Sequence, residues 1–328
     1  MVRVATMIDW RPSASRDALV IRAQLLQRIR VFFQKREALE VDTPLLSRAA
    51  VTDPHLESFI VRGSQAGKPR YLHTSPELAM KRLLVAGSGP IYQVCKAFRY
   101  GEVGRLHNPE FSMLEWYRPG FDHIQLMTEV EELLRELLAG YRPLTDTLKL
   151  TFREAYQRYV GLDPFSATIT ELQVAVKQHG INVTGLDETH KDPWLDLLMT
   201  HVIEPALPSE SPVFLYDYPA SQAALARIRQ DVPPVAERFE LYLGGMELAN
   251  GFHELTDAVE QRQRFAADLA CREELHLPWN PVDERFLAAL EVGLPACAGV
   301  AMGIDRLVML AADAKNISEV VAFDDTRV

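Results

Sequence analysis

Residues 104–117, GRLHNPEFSMLEWY, come one residue after CKAFRYGE, residues 95–102. The second half of this stretch alternates: Phe111, Met113, Glu115 and Tyr117 share one face of a strand, and Ser112, Leu114 and Trp116 share the other. The run ending at Arg99 reads as the preceding strand, and the loop 101–109 joins the two. A glutamate among apolar and aromatic neighbours is costly unless it is paired. Two accounts stay open. Glu115 and Arg99 form an ordinary ion pair inside a hairpin, or both serve a ligand that meets this face.

Outward from the hairpin, strands keep adjoining strands. Before it lie the extended runs ESFIVRG and RYLHT, and a helix over PELAMKRLLVAG with Pro76 in its first turn. After it come a helix over HIQLMTEVEELLRELL closed by Gly140, the run VFLYDYP, the hairpin FELYLGGMELANG, the helix DAVEQRQRFAADLACREEL, and a strand, turn and helix in ACAGVAMGIDRLVMLAA. At the start, Ser13 and Ser15 can cap a helix carrying Leu25, Ile29 and Phe32, with Leu26 and Phe33 beside them, and LEVDTPLL is then extended until Pro44. No repeat and no Gly/Ser linker divides the chain. The expected fold is α+β, one domain over residues 1–328 with an antiparallel sheet flanked by helices and residues 141–212 as a mainly helical insertion or side layer.

A formal charge of −10 over 328 residues gives no global attraction to a phosphate backbone, so nucleic acid is not the default partner. Locally, Arg62, Lys68, Arg70, Lys81, Arg82, Lys96, Arg99 and Arg105 form a basic run that can steer an acidic partner. Cys95, Cys271 and Cys297 stand far apart, without a C-x-x-C pair, and describe neither a disulfide framework nor a metal knuckle. The opening MVRVATMIDWRPSASRD has no continuous apolar core, and no run of about 18 apolar residues occurs, so a cytoplasmic protein without a membrane span is expected.

Two further clusters bear on chemistry. In ELYLGGMEL the turn Gly244-Gly245 pairs Leu243 with Met246 and Tyr242 with Glu247, which sets Glu240 diagonal to Glu247 on one face. Two such carboxylates repel unless a cation lies between them. Magnesium, which takes one or two carboxylates plus substrate phosphates, is one explanation, and a solvated edge hairpin is the other. Just beyond are Asn250 and Glu254. In GVAMGIDRLVML, Gly303 separates a strand from a helix and puts Asp305 and Arg306 in the first turn. There a cation works against the helix dipole and implies an anionic or aromatic neighbour. Together these clusters describe a site for a polyphosphate, a divalent ion and a cationic small molecule.

LEVDTPLL, FRYGE with RLHNPEF, and GVAMGIDR resemble the three signature motifs of class II aminoacyl-tRNA synthetases, and SPELAMKRLL, NPEFSMLEWY and ELANGFHELTDA resemble the lysyl subgroup. Lysyl-tRNA synthetases carry an N-terminal OB-fold that reads the anticodon, whereas this chain enters the catalytic helix by about residue 16, which resembles the freestanding synthetase-like ligases that modify elongation factor P. The resemblance implies the class II catalytic fold, ATP and Mg2+, a homodimer through the first motif, and (R)-β-lysine or lysine as substrate, with elongation factor P rather than tRNA as acceptor. It also implies roles. Arg99 clamps the α-phosphate and the substrate carboxylate, with Glu102 standing one position late for the usual loop glutamate. His107 and Asn108 lie along the nucleotide, Phe111 and Arg306 sandwich the adenine, and Glu240 and Glu247 hold the metal. Ser75 and Glu77 line the amino end of the substrate, Glu115, Tyr117 and Glu254 receive its distal ammonium, and Asn250 its carboxylate side. Arg99, Arg306 and Glu247 are the residues expected to act in catalysis. Ala301 stands where the synthetases have glycine, a methyl that can reshape the pocket by about 1–3 kcal/mol of discrimination. A tRNA-charging enzyme without an anticodon domain and a non-catalytic sensor of lysine or nucleotide are the competing functions.

Overall fold

The computed structural model describes residues 10–63 and 67–328. Residues 1–9 of the opening stretch, on which part of the leader argument rests, lie outside the described residues. The hairpin from which the fold was read is β5 (Ile91–Phe98) and β6 (Glu110–Pro119), antiparallel in a register that runs from Ile91 opposite Tyr117 to Phe98 opposite Glu110. Its two faces divide as alternation requires. Leu114 and Trp116 are fully buried on the back, against α1 (Arg16–Gln34) and α3 (His123–Leu138). There the Trp116 indole N–H donates to Glu129 at 3.3 Å, and Arg118 pairs with the same carboxylate at 2.9 Å.

Helix α1 starts at Ser15, whose Oγ accepts from the Ala18 N–H at 3.1 Å. Its Leu25, Ile29, Phe32 and Phe33 are fully buried, each contributing about 1.5–3 kcal/mol of transfer free energy. Two short sheet pieces follow, β1 (Leu39–Glu40) and β2 (Leu46–Ser47); then come β3 (Ile60–Val61), β4 (Arg70–Leu72) and α2 (Glu77–Val85), which leads into β5. Strands β2, β4 and β3 form a small antiparallel sheet beside the cleft.

Residues 141–212 contain β7 (Leu148–Thr151), α4 (Phe152–Tyr159), α5 (Ile169–Gln178), α6 (Asp192–Leu198) and α7 (Glu204–Ala206). Their apolar cluster, with Tyr156, Leu172, Trp194 and Leu198, continues into Leu215, Tyr218 and Tyr242 of the main sheet, so this side layer is fused to the sheet. The rest is β8 (Val213–Pro219), β9 (Ile228–Arg229), β10 (Val235–Leu243), β11 (Met246–His253), α8 (Ala258–Glu274), α9 (Glu284–Val292), β12 (Cys297–Gly303) and α10 (Ile304–Ala312). The large sheet has the order β1-β5-β6-β12-β11-β10-β8-β7, with β9 also on β10. Its interior is antiparallel as expected. The end pairs β1/β5 and β7/β8 are parallel, so the sheet is mixed at its edges.

Candidate active site

The front face of β6, β12, β11 and β10 floors one deep cleft. It is roofed on one side by α2 and the small sheet, and on the other by the loop 101–109 and the start of α10. At one end lies Arg99, half-buried, its guanidinium 5.1 Å from the centroid of the Phe111 ring and its Nη1 3.7 Å from Glu102. Gly101 has φ +81°, a left-handed turn that suits glycine and precedes Glu102, the residue beside Arg99. The Arg99 Nε–H is buried with no hydrogen-bond partner among the described residues, a donor left for a ligand. Arg306, in the first turn of α10, donates from Nη1 to the Glu247 carbonyl at 2.6 Å and from Nη2 to His107 Nε2 at 2.8 Å. These in-plane bonds leave the flat faces of the guanidinium available for stacking. Burial and the Arg306 charge push the His107 pKa below the ordinary histidine value, consistent with a neutral ring accepting that bond.

The glycine turn pairs Tyr242 with Glu247 and Leu243 with Met246, as the sequence predicts. Beyond it the register shifts: Leu241 faces Ala249 and Glu240 faces Asn250, so Leu248 is a bulge. Strict alternation would send Glu247 and Asn250 to opposite faces; the extra residue lets both line the cleft. Glu240 is nearly saturated, accepting from Tyr218 Oη at 2.6 Å, Tyr242 Oη at 2.5 Å and Arg238 Nη2 at 2.5 Å. Arg238 Nε also donates to Asn250 Oδ1 at 3.3 Å. Thus the repulsion inferred for the two glutamates is relieved at Glu240 by protein donors. Among the described residues Glu247 has only Arg306, at 3.8 Å, and its side chain stays 39% exposed. A half-exposed carboxylate with no hydrogen-bond donor among the described residues, beside one whose lone pairs are mostly used, fits a magnesium ion that takes few protein ligands.

At the other end three carboxylates converge. Glu115, 2% exposed, accepts from Ser75 Oγ and Tyr117 Oη, both at 2.7 Å. Burial, then the Glu77 charge, raises its pKa to about 7. Lys81, fully buried, places Nζ 2.6 Å from Glu77 Oε1 and 2.5 Å from Glu254 Oε2. Burial works against its charge, but Glu254 and Glu77 hold the Lys81 pKa above its ordinary value. A Cβ on Gly299 would lie 2.3 Å from the Tyr117 ring and 2.5 Å from Glu254 Oε1, so only glycine lets these two approach. On the same strand Ala301 sits between Glu115 and Asn250 in neighbouring strands, at the floor of the cleft.

Several expectations need correction. Arg99 is not the partner of Glu115: β5 pairs Gln93 with Glu115, which leaves Arg99 six residues farther along, about 20 Å at ordinary strand rise. Glu77 and Glu254 each give one oxygen to Lys81, a contact the sequence did not suggest, which leaves the other oxygen of each for a ligand. Lys81 also leaves the basic steering run, of which Arg62, Lys68, Arg82 and Arg105 are exposed. Asn108 has its amide engaged with the Glu110 carbonyl and the Asp325 N–H. Sequence reasoning missed Lys81, for which the only signal was its i, i+4 spacing from Glu77, and Arg238, which alternation places on the face of Glu240. It placed Asp305 in the first turn of the last helix but gave it no partner; Asp305, 2% exposed, accepts from the Ser112 N–H at 2.6 Å and from Arg22 and so ties α10 to β6 and α1.

Among the described residues, His123, Glu237 and His253 also have metal-ligand spacing, on the opposite face of the sheet. Arg229 already neutralises this group through Asp217 at 2.7 Å and Glu237 at 3.5 Å.

A sheet of this order, with an arginine on the hairpin strand, paired glutamates on the next hairpin and an arginine opening the last helix, is the architecture of an adenylate-forming class II synthetase core. Residues 3–327 match the family model for tRNA synthetases class II (D, K and N), and the chain belongs to that family. It is 52% identical over 322 residues, 97% of this chain and 98% of the relative, to the elongation factor P--(R)-beta-lysine ligase of Pseudoalteromonas translucida (strain TAC 125). It is 51% identical over 329 residues to the protein of that name from Edwardsiella ictaluri (strain 93-146), covering 99% of this chain and 100% of that protein. Identity to the one from Proteus mirabilis (strain HI4320) is 50% over 325 residues, 98% of each. Within the class II family the chain therefore belongs with the elongation factor P--(R)-beta-lysine ligases.

Proposed function

We propose that the chain is a cytoplasmic ATP-dependent ligase that activates (R)-β-lysine, or lysine, as its adenylate and transfers the acyl group to a lysine ε-amine of elongation factor P. The observation that carries this reading is one cleft with a cationic end at Arg99 and Arg306 and an anionic end at Glu77, Glu115 and Glu254. A nucleotide at the cationic end and a diamino acid at the anionic end would occupy it in a single order. The relatives' names pair elongation factor P with (R)-beta-lysine.

In the first step a carboxylate oxygen of the amino acid bonds to the α-phosphorus, and the bond to the bridging oxygen of pyrophosphate breaks. Arg99, with its unpartnered Nε–H, binds the transferring phosphoryl group, and Arg306 stacks on the base whose other side meets Phe111. Glu247 and the remaining lone pair of Glu240 would hold magnesium, which supplies neutralisation of phosphate charge. Glu115, Tyr117 and the cleft-facing oxygens of Glu77 and Glu254 bind the two ammonium groups. In the second step the acceptor amine attacks the acyl carbon, AMP leaves, and the amine gives up a proton, which completes an amide. No side-chain nucleophile is required.

The test offers ATP, magnesium and labelled (R)-β-lysine or lysine with elongation factor P in one tube and bulk tRNA in another. Acid-stable label on one lysine of the protein is expected. Base-labile label on tRNA alone would replace this reading with a tRNA-charging one, and no pyrophosphate exchange with either amino acid would replace it with a sensor. Among the described residues no helix is long and apolar enough to cross a membrane. The active form is proposed to be a homodimer joined through α1 and the edge strand β1, which leave Val20, Val31 and Leu39 exposed.

Two predictions arise here. Glu247→Gln should raise the magnesium concentration needed for half-maximal pyrophosphate exchange more than Glu240→Gln does, because Glu240 is largely satisfied by protein donors. Equal, small effects in a magnesium titration would return the hairpin to a structural role. The KM for the diamino acid should fall as pH rises through about 7. Glu115 is protonated below its raised pKa and then cannot balance an ammonium; above it the carboxylate is charged. A flat KM between pH 6 and about 8, with the ATP KM also flat, would show that Glu115 does not bind the ammonium.

A further inference from the structure

Three carboxylates meet in the anionic end of the cleft, and among the described residues one protein cation, Lys81, lies between them. Lys81 Nζ is 2.6 Å from Glu77 Oε1 on its own helix and 2.5 Å from Glu254 Oε2 at the end of β11. Each of these carboxylates has its second oxygen elsewhere: Glu254 Oε1 lies over Gly299, towards Tyr117, and Glu77 lines the cleft with its side chain 18% exposed. Glu115 and Tyr117 face the same space from β6, and the buried ring of Phe286 in α9 packs near Lys81, with its centroid 6.0 Å from Nζ. A buried ammonium between two buried carboxylates is costly to assemble and persists where geometry holds it.

We propose that Lys81 is a positioning residue that turns one oxygen of Glu77 and one of Glu254 into the cleft and cancels one of the three negative charges, so that the pocket takes substrates carrying two ammonium groups. With ammonium groups bound and all three carboxylates ionised, three carboxylates and one ammonium leave two negative charges, matched by the two ammonium groups of a diamino acid whose carboxylate lies towards Arg99; without such a ligand, burial favours the protonated forms of Glu115 and Glu254. A mono-ammonium amino acid would leave a buried carboxylate unpaired. This inference rests on the reading of the cleft as a diamino-acid-activating site. It goes beyond that reading by assigning the charge selection to a residue that does not itself touch the substrate.

The test uses the full-length chain as wild type, Lys81→Met and Lys81→Gln, the second keeping an amide donor for one carboxylate. Melting curves establish that the variants are folded, and ATP–pyrophosphate exchange gives KM for (R)-β-lysine and for ATP across pH 6 to about 9. Both variants are expected to raise the diamino-acid KM about 10- to 100-fold, the scale seen when the outer partners that orient metal-ligating side chains are removed. The ATP KM should stay within about threefold of wild type. With the ammonium gone the carboxylates hold protons to higher pH, so the window in which the diamino-acid KM falls should move up by about one unit or more. A structural role alone would lower stability without moving that window. An unchanged diamino-acid KM and pH window in a folded variant would overturn the proposal, as would a parallel rise in the ATP KM. Failure of the wild-type protein to exchange pyrophosphate with any diamino acid would instead remove the reading of the cleft on which the proposal stands.

Discussion

Arg99→Ala is expected to slow ATP–pyrophosphate exchange about 10²–10³-fold, equivalent to about 2.7–4 kcal/mol of lost transition-state stabilisation, the usual cost of removing one preorganised donor to developing charge. The melting temperature should change little, because Arg99 supports little of the fold. Its Nε–H has no partner among the described residues, its ion pair with Glu102 is long at 3.7 Å, and Glu115 depends on Ser75 and Tyr117 instead. A half-exposed ion pair of that kind contributes about 0–1 kcal/mol to stability. Near-wild-type exchange in a folded variant would remove Arg99 from the chemistry and leave Arg306 as the cation of that end. A large drop in melting temperature with proportionate activity would mark it as structural.

The second large effect is on stability and lies behind the site. Arg22→Met should destabilise the protein by about 3–5 kcal/mol, because it leaves the buried Asp305 carboxylate without its cation. Arg22 also donates from Nη2 to the Val320 carbonyl at 3.0 Å and from Nη1 to Ser112 Oγ at 3.4 Å, so one side chain joins α1, β6, the start of α10 and the C-terminal turn. The shift is to be read from urea denaturation midpoints against Arg82→Met, an exposed change expected to stay within about 0.5 kcal/mol. Equal midpoints for the two variants would mean that the helix N-terminus and the Ser112 N–H suffice to hold Asp305. Because Arg306 follows Asp305 directly, a destabilised α10 start should also weaken ATP binding. Arg22→Met therefore couples a fold measurement to a site measurement.

Much of the architecture is legible from local pattern. Alternation in FSMLEWY puts Phe111, Met113, Glu115 and Tyr117 on one face and Ser112, Leu114 and Trp116 on the other; in the structure the first face lines the cleft and Leu114 and Trp116 enter the core. The Gly244-Gly245 turn sets its two flanking pairs correctly, because a two-residue loop leaves a hairpin only one nearby register. The same rule fails a few residues later at Leu248, where a bulge changes the parity of the strand. Nothing in the side-chain sequence marks that extra residue, since a bulge there is decided by what β10 and β12 require on either side.

Charge partners were the least legible part of the site. Sequence puts Arg99 and Glu115 on one hairpin and invites a pair between them, yet register along the strands separates them. It offers Lys81 as one of eight basic residues on a presumed surface, whereas tertiary closure buries it between a helix and the end of β11.

The sequence by itself determined which residues of a regular strand share a face and where the hairpins turn. These follow from dihedral periodicity and turn chemistry, which act over a few residues. Only the tertiary structure decided which charges meet. The Lys81–Glu254 pair, the Arg22–Asp305 lock and the three donors on Glu240 each join segments whose approach is fixed by sheet order and helix docking. An ion pair's partner and its burial depend on distance and on exclusion of water, and neither quantity exists until distant parts of the chain are packed together.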